Sequence, residues 1–175
     1  MKPIHSDIAL DFLDITDIDD VMSVLKIRNE PAIRNNMYTD HVIQPDEHLG
    51  WIRYLKTSRD AIFFAVRYEG QIVGGVGLSS INTLHKRADW AFYLSEKCQG
   101  MGLGSALEKQ FLDMAFSEYD LEKINCEVIS FNKKVVDMHK RFGFVVEGTR
   151  RNHVVRDGDK YDVILLGITK DEWHG

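Results

Sequence analysis

The sequence predicts one α/β domain of the α+β kind, spanning residues 1–175. Its centre is a mixed, mostly antiparallel, twisted sheet of about seven strands, flanked by about four helices. Three observations carry this prediction. Seven short segments alternate apolar and polar residues or run apolar between turn residues, as half-buried and buried strands do. Longer segments between them repeat their apolar residues every three to four positions, the period of an amphipathic helix. No repeat, low-complexity tract or linker divides the chain, and its three prolines fall at Pro3, Pro31 and Pro45.

The elements follow in order. "IALDFLDI" alternates loosely and reads as a first strand. Thr16 then reads as an N-cap with Asp19 three residues on, before Ile18, Val21, Met22 and Leu25 at helical spacing. That helix ends near "RNEP", because the residue before Pro31 is pushed away from helical angles. "PAIRNNMY" reads as a short helical piece. "PDEHLGWIRYLKT" has Pro45 in a first-turn position with acids beside it, and His48, Trp51, Ile52 and Leu55 on one face. The period then changes. "AIFFAVRY", a turn at Glu69-Gly70 and "QIVGGVGLSSI" read as a hairpin, with "RADWAFYL" as a third strand of the meander. Leu103, Ala106, Leu107, Phe111, Met114 and Ala115 form the stripe of the next helix. "KINCEVIS" is a strand. Asn132 starts the helix "KKVVDMHKRF", which Gly143 ends. "FVVEGTRRNHVV" and "KYDVILLGI" close the chain as a hairpin around Asp157-Gly158. The helix between the fourth and fifth strands is a crossover, which makes those two strands parallel.

Composition narrows the function. Apolar residues make up 44% and charged residues 28%, with a net charge of −5. An acidic chain lacks the basic face that nucleic-acid binding uses. Lys and Arg cluster only locally, in "HKRF" and "GTRRNHVVR", as solvated surface or as part of an anion site. Cys98 and Cys126 have no paired spacing, and the seven histidines form no metal motif. No apolar run is long enough to span a membrane, and "MKPIHSDIAL" has no apolar signal core. The expectation is a reduced, cytoplasmic compartment, with no metal and no membrane partner.

The stretch "QGMGLGS", Gln99 to Ser105, is the strongest local signal. Its glycines at 100, 102 and 104 do not match the dinucleotide fingerprint, and no Gly-Lys-Ser/Thr is present for a P-loop. A third reading fits: successive backbone N–H groups at a helix N-terminus cradle a pyrophosphate, where bare glycine lets the backbone approach.

Gln99-Gly100-Met101-Gly102-Leu103-Gly104 resembles the Q/R-x-x-G-x-G/A motif of the GCN5-related N-acetyltransferase superfamily. "NKKVVDMHKRFGF" is similar to the N-x-x-A-x-x-x-Y-x-K-x-G-F stretch these enzymes carry. The order of elements also resembles this superfamily over almost the whole chain. The resemblance implies acetyl-CoA as cosubstrate. Backbone amides from Met101 to Ser105 would bind its pyrophosphate. Phe92, Tyr93 and Leu94 would pair with the pantetheine arm where the fourth and fifth strands splay. Asn132 would hydrogen-bond the arm, and Arg141 would reach a phosphate.

Acetyl transfer to an amine needs a neutral amine, a stabilised carbonyl oxygen and a proton for the leaving thiolate. The superfamily usually has Tyr as that acid where this sequence has His139, whose imidazole suits the task at neutral pH. Water or Tyr93 are the alternatives, as is a helix histidine with no role. Glu127 occupies a strand position from which related enzymes deprotonate the amine; the alternative is an outward-facing strand carboxylate. Cys126 reads as a small core residue rather than an acyl carrier, and Asp89 and Glu147 as surface.

The acceptor clue lies upstream. "IRNEPAIRNNMYTDHVIQPDEHLGWIRYL" resembles the corresponding region of the acetyltransferases of the pseudaminic-acid pathway, which modify a UDP-4-amino-dideoxy sugar used to decorate flagellin. On that resemblance Arg28 and His48 contact the acceptor or its phosphates, and Met37, Tyr38, Trp51 and Tyr93 wall it. Trp51 also sits in an apolar stripe, as a core residue would. Protein N-terminal acetyltransferases of the ribosomal type and polyamine acetyltransferases share looser versions of these features. A CoA-binding module that has lost catalysis is the non-enzymatic alternative. The superfamily also implies a homodimer.

Overall fold

The computed structural model describes residues 8–175. The "MKPIHSD" stretch lies outside the described residues.

The chain forms β1 (Asp11–Asp14), α1 (Ile18–Arg28), α2 (Pro31–Arg34), α3 (Pro45–Thr57), β2 (Ile62–Tyr68), β3 (Gln71–Asn82), β4 (Arg87–Leu94), α4 (Leu103–Glu118), β5 (Lys123–Ile129), α5 (Lys133–Arg141), β6 (Val145–Arg156) and β7 (Asp159–Thr169). Short 3-10 turns occupy Glu96–Cys98 and Lys170–Glu172. The described residues thus hold five α-helices rather than about four, because "PAIR" closes a turn of its own. Pro31 suits its start, since the missing N–H would have had no partner there. The cap of α1 is Asp17, not Thr16: its carboxylate accepts from the Asp19 N–H at 2.7 Å. A carboxylate also complements the positive end of the helix dipole, which a threonine hydroxyl does not. Asn132 stands at the start of α5, but its side chain makes no capping bond and is left free.

The seven strands lie in the order β1-β2-β3-β4-β5-β7-β6. All neighbours are antiparallel except β4 and β5, the pair joined by the α4 crossover. That pair is short. Arg87, Ala88 and Asp89 face Lys123, Ile124 and Asn125, and pairing stops there. Beyond it Trp90–Leu94 stay paired with β3, while Cys126–Ile129 stay paired with β7. The sheet therefore opens like a V, and the inner edges of both strands carry backbone groups that need partners.

Each face of the sheet has its own core. On one face, α4 lays Leu103, Leu107, Phe111, Leu112 and Ala115 against Val66, Val76, Leu78, Ala88, Ile124, Leu166 and Ile168. Phe111 and Leu107 are fully buried, and truncating such a residue to alanine costs about 2–5 kcal/mol. On the other face, α1 and α3 pack Val21, Val24 and Ile52 over Ala65, with Trp51, Phe63 and Tyr93 beside them. Strand alternation assigns the faces in β4: Trp90 and Phe92 join the first cluster, Tyr93 the second. α5 ends at Gly143, whose φ of +97° is left-handed, and the Phe144 N–H reaches back to the His139 carbonyl at 3.1 Å.

Candidate active site

The glycine stretch builds an open helix start. Gly102 stands before α4 with φ +78°, and Gly100 has the same φ. The first N–H to close the helical ladder is that of Ala106, to the Gly102 carbonyl at 3.1 Å. The N–H groups of Leu103, Gly104 and Ser105 therefore project from the helix end. No acid occupies the first turn of α4, so the dipole there is left for an external anion. A Cβ at Gly100 would meet nothing within 4 Å. Gln99 and Met101 are exposed, while the Leu103 side chain is core. These features fit the pyrophosphate of a CoA thioester. The open V begins just before this loop, with Phe92, Tyr93 and Leu94 on its β4 side. Asn132 is half-buried and Arg141 exposed on α5.

The face of the sheet covered by α1 and α3 holds a cavity of about 330 Å³. Arg28, His48, Trp51 and Tyr93 meet there, four residues scattered over the sequence. Ile43, Glu47 and Phe63 complete the wall; Ile43 and Glu47 lie within the upstream stretch "IRNEPAIRNNMYTDHVIQPDEHLGWIRYL" without being singled out there, and Phe63 reads only as a strand residue. Trp51 both packs on Phe63, ring centroids 4.8 Å apart, and lines the space. Arg28 Nη1 is buried with no hydrogen-bond partner, and burial lowers the guanidinium's proton affinity. Burial raises the Tyr93 phenol well above the usual tyrosine range, so it is a neutral donor. His48 is 3% exposed, and its Nε2 lies 3.0 Å from the Val21 carbonyl. Burial lowers its pKa. A neutral ring donating through Nε2 keeps Nδ1 as an acceptor and has no further proton to give.

Glu127 faces the same side of the sheet from β5. Arg150 Nη1 donates to its Oε1 at 2.5 Å, and the Tyr38 hydroxyl donates to its Oε2. Burial and this bond push the Tyr38 phenol up to about 12. Arg156 fixes the segment carrying Met37 and Tyr38, donating to the Asn35 and Met37 carbonyls at 2.9 and 2.5 Å. Met37 is thereby held beside Tyr38, apart from the cavity wall. Arg150 and Arg156 come from "GTRRNHVVR", whose basic cluster the sequence displays without revealing its carboxylate partner.

His139 lies on the opposite face, 2% exposed, among the rings of Trp90, Phe92 and Phe144. Its Nδ1 is 2.8 Å from Glu108 Oε1. The Cys126 thiol, 5% exposed, is pushed up by burial and by the nearby Glu108 charge, which leaves it a protonated core residue. Asp89 accepts from Asn125 Nδ2 at 3.2 Å and Glu147 pairs with Lys123 at 2.7 Å, both outside the cavity. Among the described residues no cluster of His, Cys, Asp and Glu is arranged to hold a metal, and no helix is long and apolar enough to cross a membrane.

A seven-stranded sheet split between its parallel strands, with a glycine-rich helix start at the split, defines a nucleotide-thioester-binding acyltransferase fold. The sequence matches the model of the acetyltransferase (GNAT) domain over residues 14–165, and the chain belongs to that family. It is 29% identical over 110 residues to the spermidine N(1)-acetyltransferase of Escherichia coli strain K12, covering 63% of this chain and 59% of that one. It is 26% identical over 127 residues to the acetyltransferase PseH of Campylobacter jejuni, covering 73% and 78%. An L-amino acid N-acetyltransferase of E. coli, AaaT, is 22% identical over 153 residues, covering 86% and 93%. Among solved structures, the Vibrio cholerae spermidine N-acetyltransferase in complex with CoA and spermine superposes with a TM-score of 0.88 at 23% identity, covering 98% of this chain and 100% of that one.

Proposed function

We propose that the protein transfers the acetyl group of acetyl-CoA to the primary amine of a small molecule, and that this acceptor carries an anionic group, as the diphosphate of a UDP-4-amino-dideoxy sugar does. The observation that carries the acceptor's charge is Arg28 in the cavity wall, with a buried Nη1 that has no partner. A buried donor nitrogen left without a partner is costly unless a ligand completes it. Trp51, Phe63 and Tyr93 offer flat apolar surface for the sugar or base.

Acetyl-CoA supplies an activated acyl carbon and a thiolate leaving group. The amides at the start of α4 hold its pyrophosphate, with Gln99 and the Gly100–Ser105 backbone around it. The inner edge of Phe92–Leu94 pairs with its arm, while Asn132 and Arg141 contact the arm and a phosphate. The amine enters from the α1/α3 face, where Glu127 takes its proton directly or through water. Arg150 and Tyr38 hold both oxygens of that carboxylate, so its orientation is set before the amine arrives. The neutral Tyr93 phenol donates toward the reacting carbonyl. His139 sits on the far face and protonates the sulfur. Base and acid thus flank the open V from opposite sides, and no enzyme nucleophile takes part. Two free thiols suit a reducing cytoplasm, and gel filtration tests the homodimer that the family resemblance implies.

A second reading has a specific observation behind it. Glu47 shares the cavity with Arg28, and a polyamine would place a cationic end there, in line with the similarity to spermidine enzymes. The test is thiol release from acetyl-CoA with the UDP-amino sugar, spermidine, an amino acid and a peptide amine, in the native protein and in Arg28→Met. Turnover of the UDP-amino sugar, with KM raised roughly tenfold or more by Arg28→Met, supports the reading, since a charge-assisted hydrogen bond is worth about 1.5–3 kcal/mol. Preference for spermidine with KM unmoved by that change overturns it. CoA binding without turnover of any amine identifies a regulatory module instead.

A further inference from the structure

A carboxylate sits in the middle of the main core. Glu108 lies on α4 and is 0% exposed. One oxygen is 2.8 Å from His139 Nδ1, and the other is buried with no partner. The two side chains are 0% and 3% exposed. Acids of this depth are rare in α/β cores unless they are paired. The proposed mechanism uses His139 and leaves Glu108 without a task.

We infer that Glu108 is a positioning residue for His139, holding the imidazole so that its Nε2 proton faces the open V where the thiolate leaves. This rests on the reading of His139 as the acid. The geometry supplies the direction. Nδ1 is tied to Glu108, and among the described residues no protein group bonds Nε2. The imidazole packs 6.2 Å, centroid to centroid, from Phe92. Phe92 belongs to the half of β4 that has left β5, so the ring stands beside the V.

Charge balance supplies the proton. An isolated ionised carboxylate in an apolar core is strongly disfavoured, so the pair is stable when its total charge is zero. Two arrangements satisfy this: carboxylate with imidazolium, or carboxylic acid with neutral imidazole. In both, one proton lies between Oε1 and Nδ1 and a second sits on Nε2. The neutral pair therefore always presents an Nε2–H. When the amine forms its bond to the acyl carbon and the carbon–sulfur bond breaks, the electron pair goes to sulfur. Sulfur then takes the Nε2 proton. Nδ1–H stays with the Glu108 carboxylate, and the negative charge moves from sulfur to that carboxylate. Net charge is unchanged by the transfer: the pair gains the one negative charge that sulfur loses, and it returns to neutral when Nε2 takes up a proton again. Glu108 and the amides of Leu103–Ser105 share one helix, so the phosphate cradle and the acid are held on one rigid element.

Nitrogen-15 spectra of the histidines in the native protein read the tautomer directly, with His139→Phe assigning the signal. A proton on Nε2 at neutral pH is expected; a bare Nε2 with the proton on Nδ1 alone overturns the inference, whether or not Glu108→Gln folds. Kinetics on the best amine of the panel above add a second measure. In His139→Phe, kcat falls about 100-fold with little change in KM for acetyl-CoA, the scale of a lost general acid. In Glu108→Gln it falls about tenfold or more, and the same change made in His139→Phe adds no further loss. If His139→Phe costs activity and folded Glu108→Gln does not, the positioning role fails while the acid reading stands. If His139→Phe leaves kcat unchanged, both fall together.

Discussion

The guanidinium of Arg156 bonds the main-chain carbonyl of Met37, 119 residues away in sequence, at 2.5 Å. This contact joins the closing hairpin to the segment that carries Tyr38, and Tyr38 in turn bonds Glu127 on β5. Three distant parts of the chain thereby fix the position of one carboxylate. The Arg156 side chain is 13% exposed, so its bonds are shielded from water and are worth more than surface contacts. Arg156→Ala should free the 35–40 segment, lower stability by about 1–3 kcal/mol, and raise KM for the amine more than it lowers kcat. Thermal melts and steady-state kinetics with acetyl-CoA saturating check this.

Arg28→Met should separate stability from function. The native side chain keeps a buried nitrogen without a partner. An unbranched apolar replacement removes that cost, so the free protein should become more stable, by about 1–2 kcal/mol. Acceptor binding should weaken at the same time. A loss of stability in a urea titration would mean that the guanidinium already has its partner within the folded chain.

Gly102 has φ +78°, a conformation that costs a residue with a Cβ about 1–2 kcal/mol, more for a β-branched one. Gly102→Val should remain folded at reduced stability, because the loop is at the surface, and should lose CoA binding in a calorimetric titration. Unchanged affinity would remove the phosphate role from this loop.

Gly75 tests the cavity wall. A Cβ built there would lie 2.1 Å from the Phe63 ring tip, and Phe63 packs edge-to-face with Trp51 and tilted beside Tyr93. Gly75→Ala should displace the ring into the cavity, destabilise the fold by about 1–3 kcal/mol through overpacking, and raise the acceptor KM while leaving CoA affinity intact. Acceptor and CoA titrations on the same preparation distinguish the two effects.

The Tyr38 phenol is held up to about 12, first by burial and then by its bond to Glu127. A free tyrosine ionises near 10, so the folded state keeps a proton that the unfolded chain has lost. The stabilisation that goes with it is complete below pH about 10 and disappears as pH rises through about 12. A difference absorbance titration between the native protein and Tyr38→Phe should show one phenolate appearing near pH 12. In Glu127→Gln that step should move down.

Much of this molecule is legible in the sequence, because local rules act over a few residues. Alternation marks β4 over "RADWAFYL", helical period and Pro45 mark α3, and the glycines at 100, 102 and 104 mark a helix start open to an anion. Each is a property of neighbouring residues, so chain order alone determines it. The N-cap of α1 shows the limit even there: Thr16 and Asp17 both suit the position, and the path of the chain out of β1 selects Asp17. The partnerships are different in kind. Glu108 stands three residues before Phe111 on the buried stripe of α4, which flags an acid where an apolar residue belongs. Nothing in the sequence says that His139 will meet it. Arg28 and Tyr93, Glu127 and Arg150, Arg156 and Met37 are likewise brought together by sheet pairing and helix packing. Those contacts depend on how the V opens between β4 and β5, and that opening follows from each strand keeping its outer neighbour. The sequence determined the family of fold and a glycine-rich helix start open to an anion. Only the tertiary structure decided which charges face one another, because burial and distance, which set the cost of a charge, arise when distant segments meet.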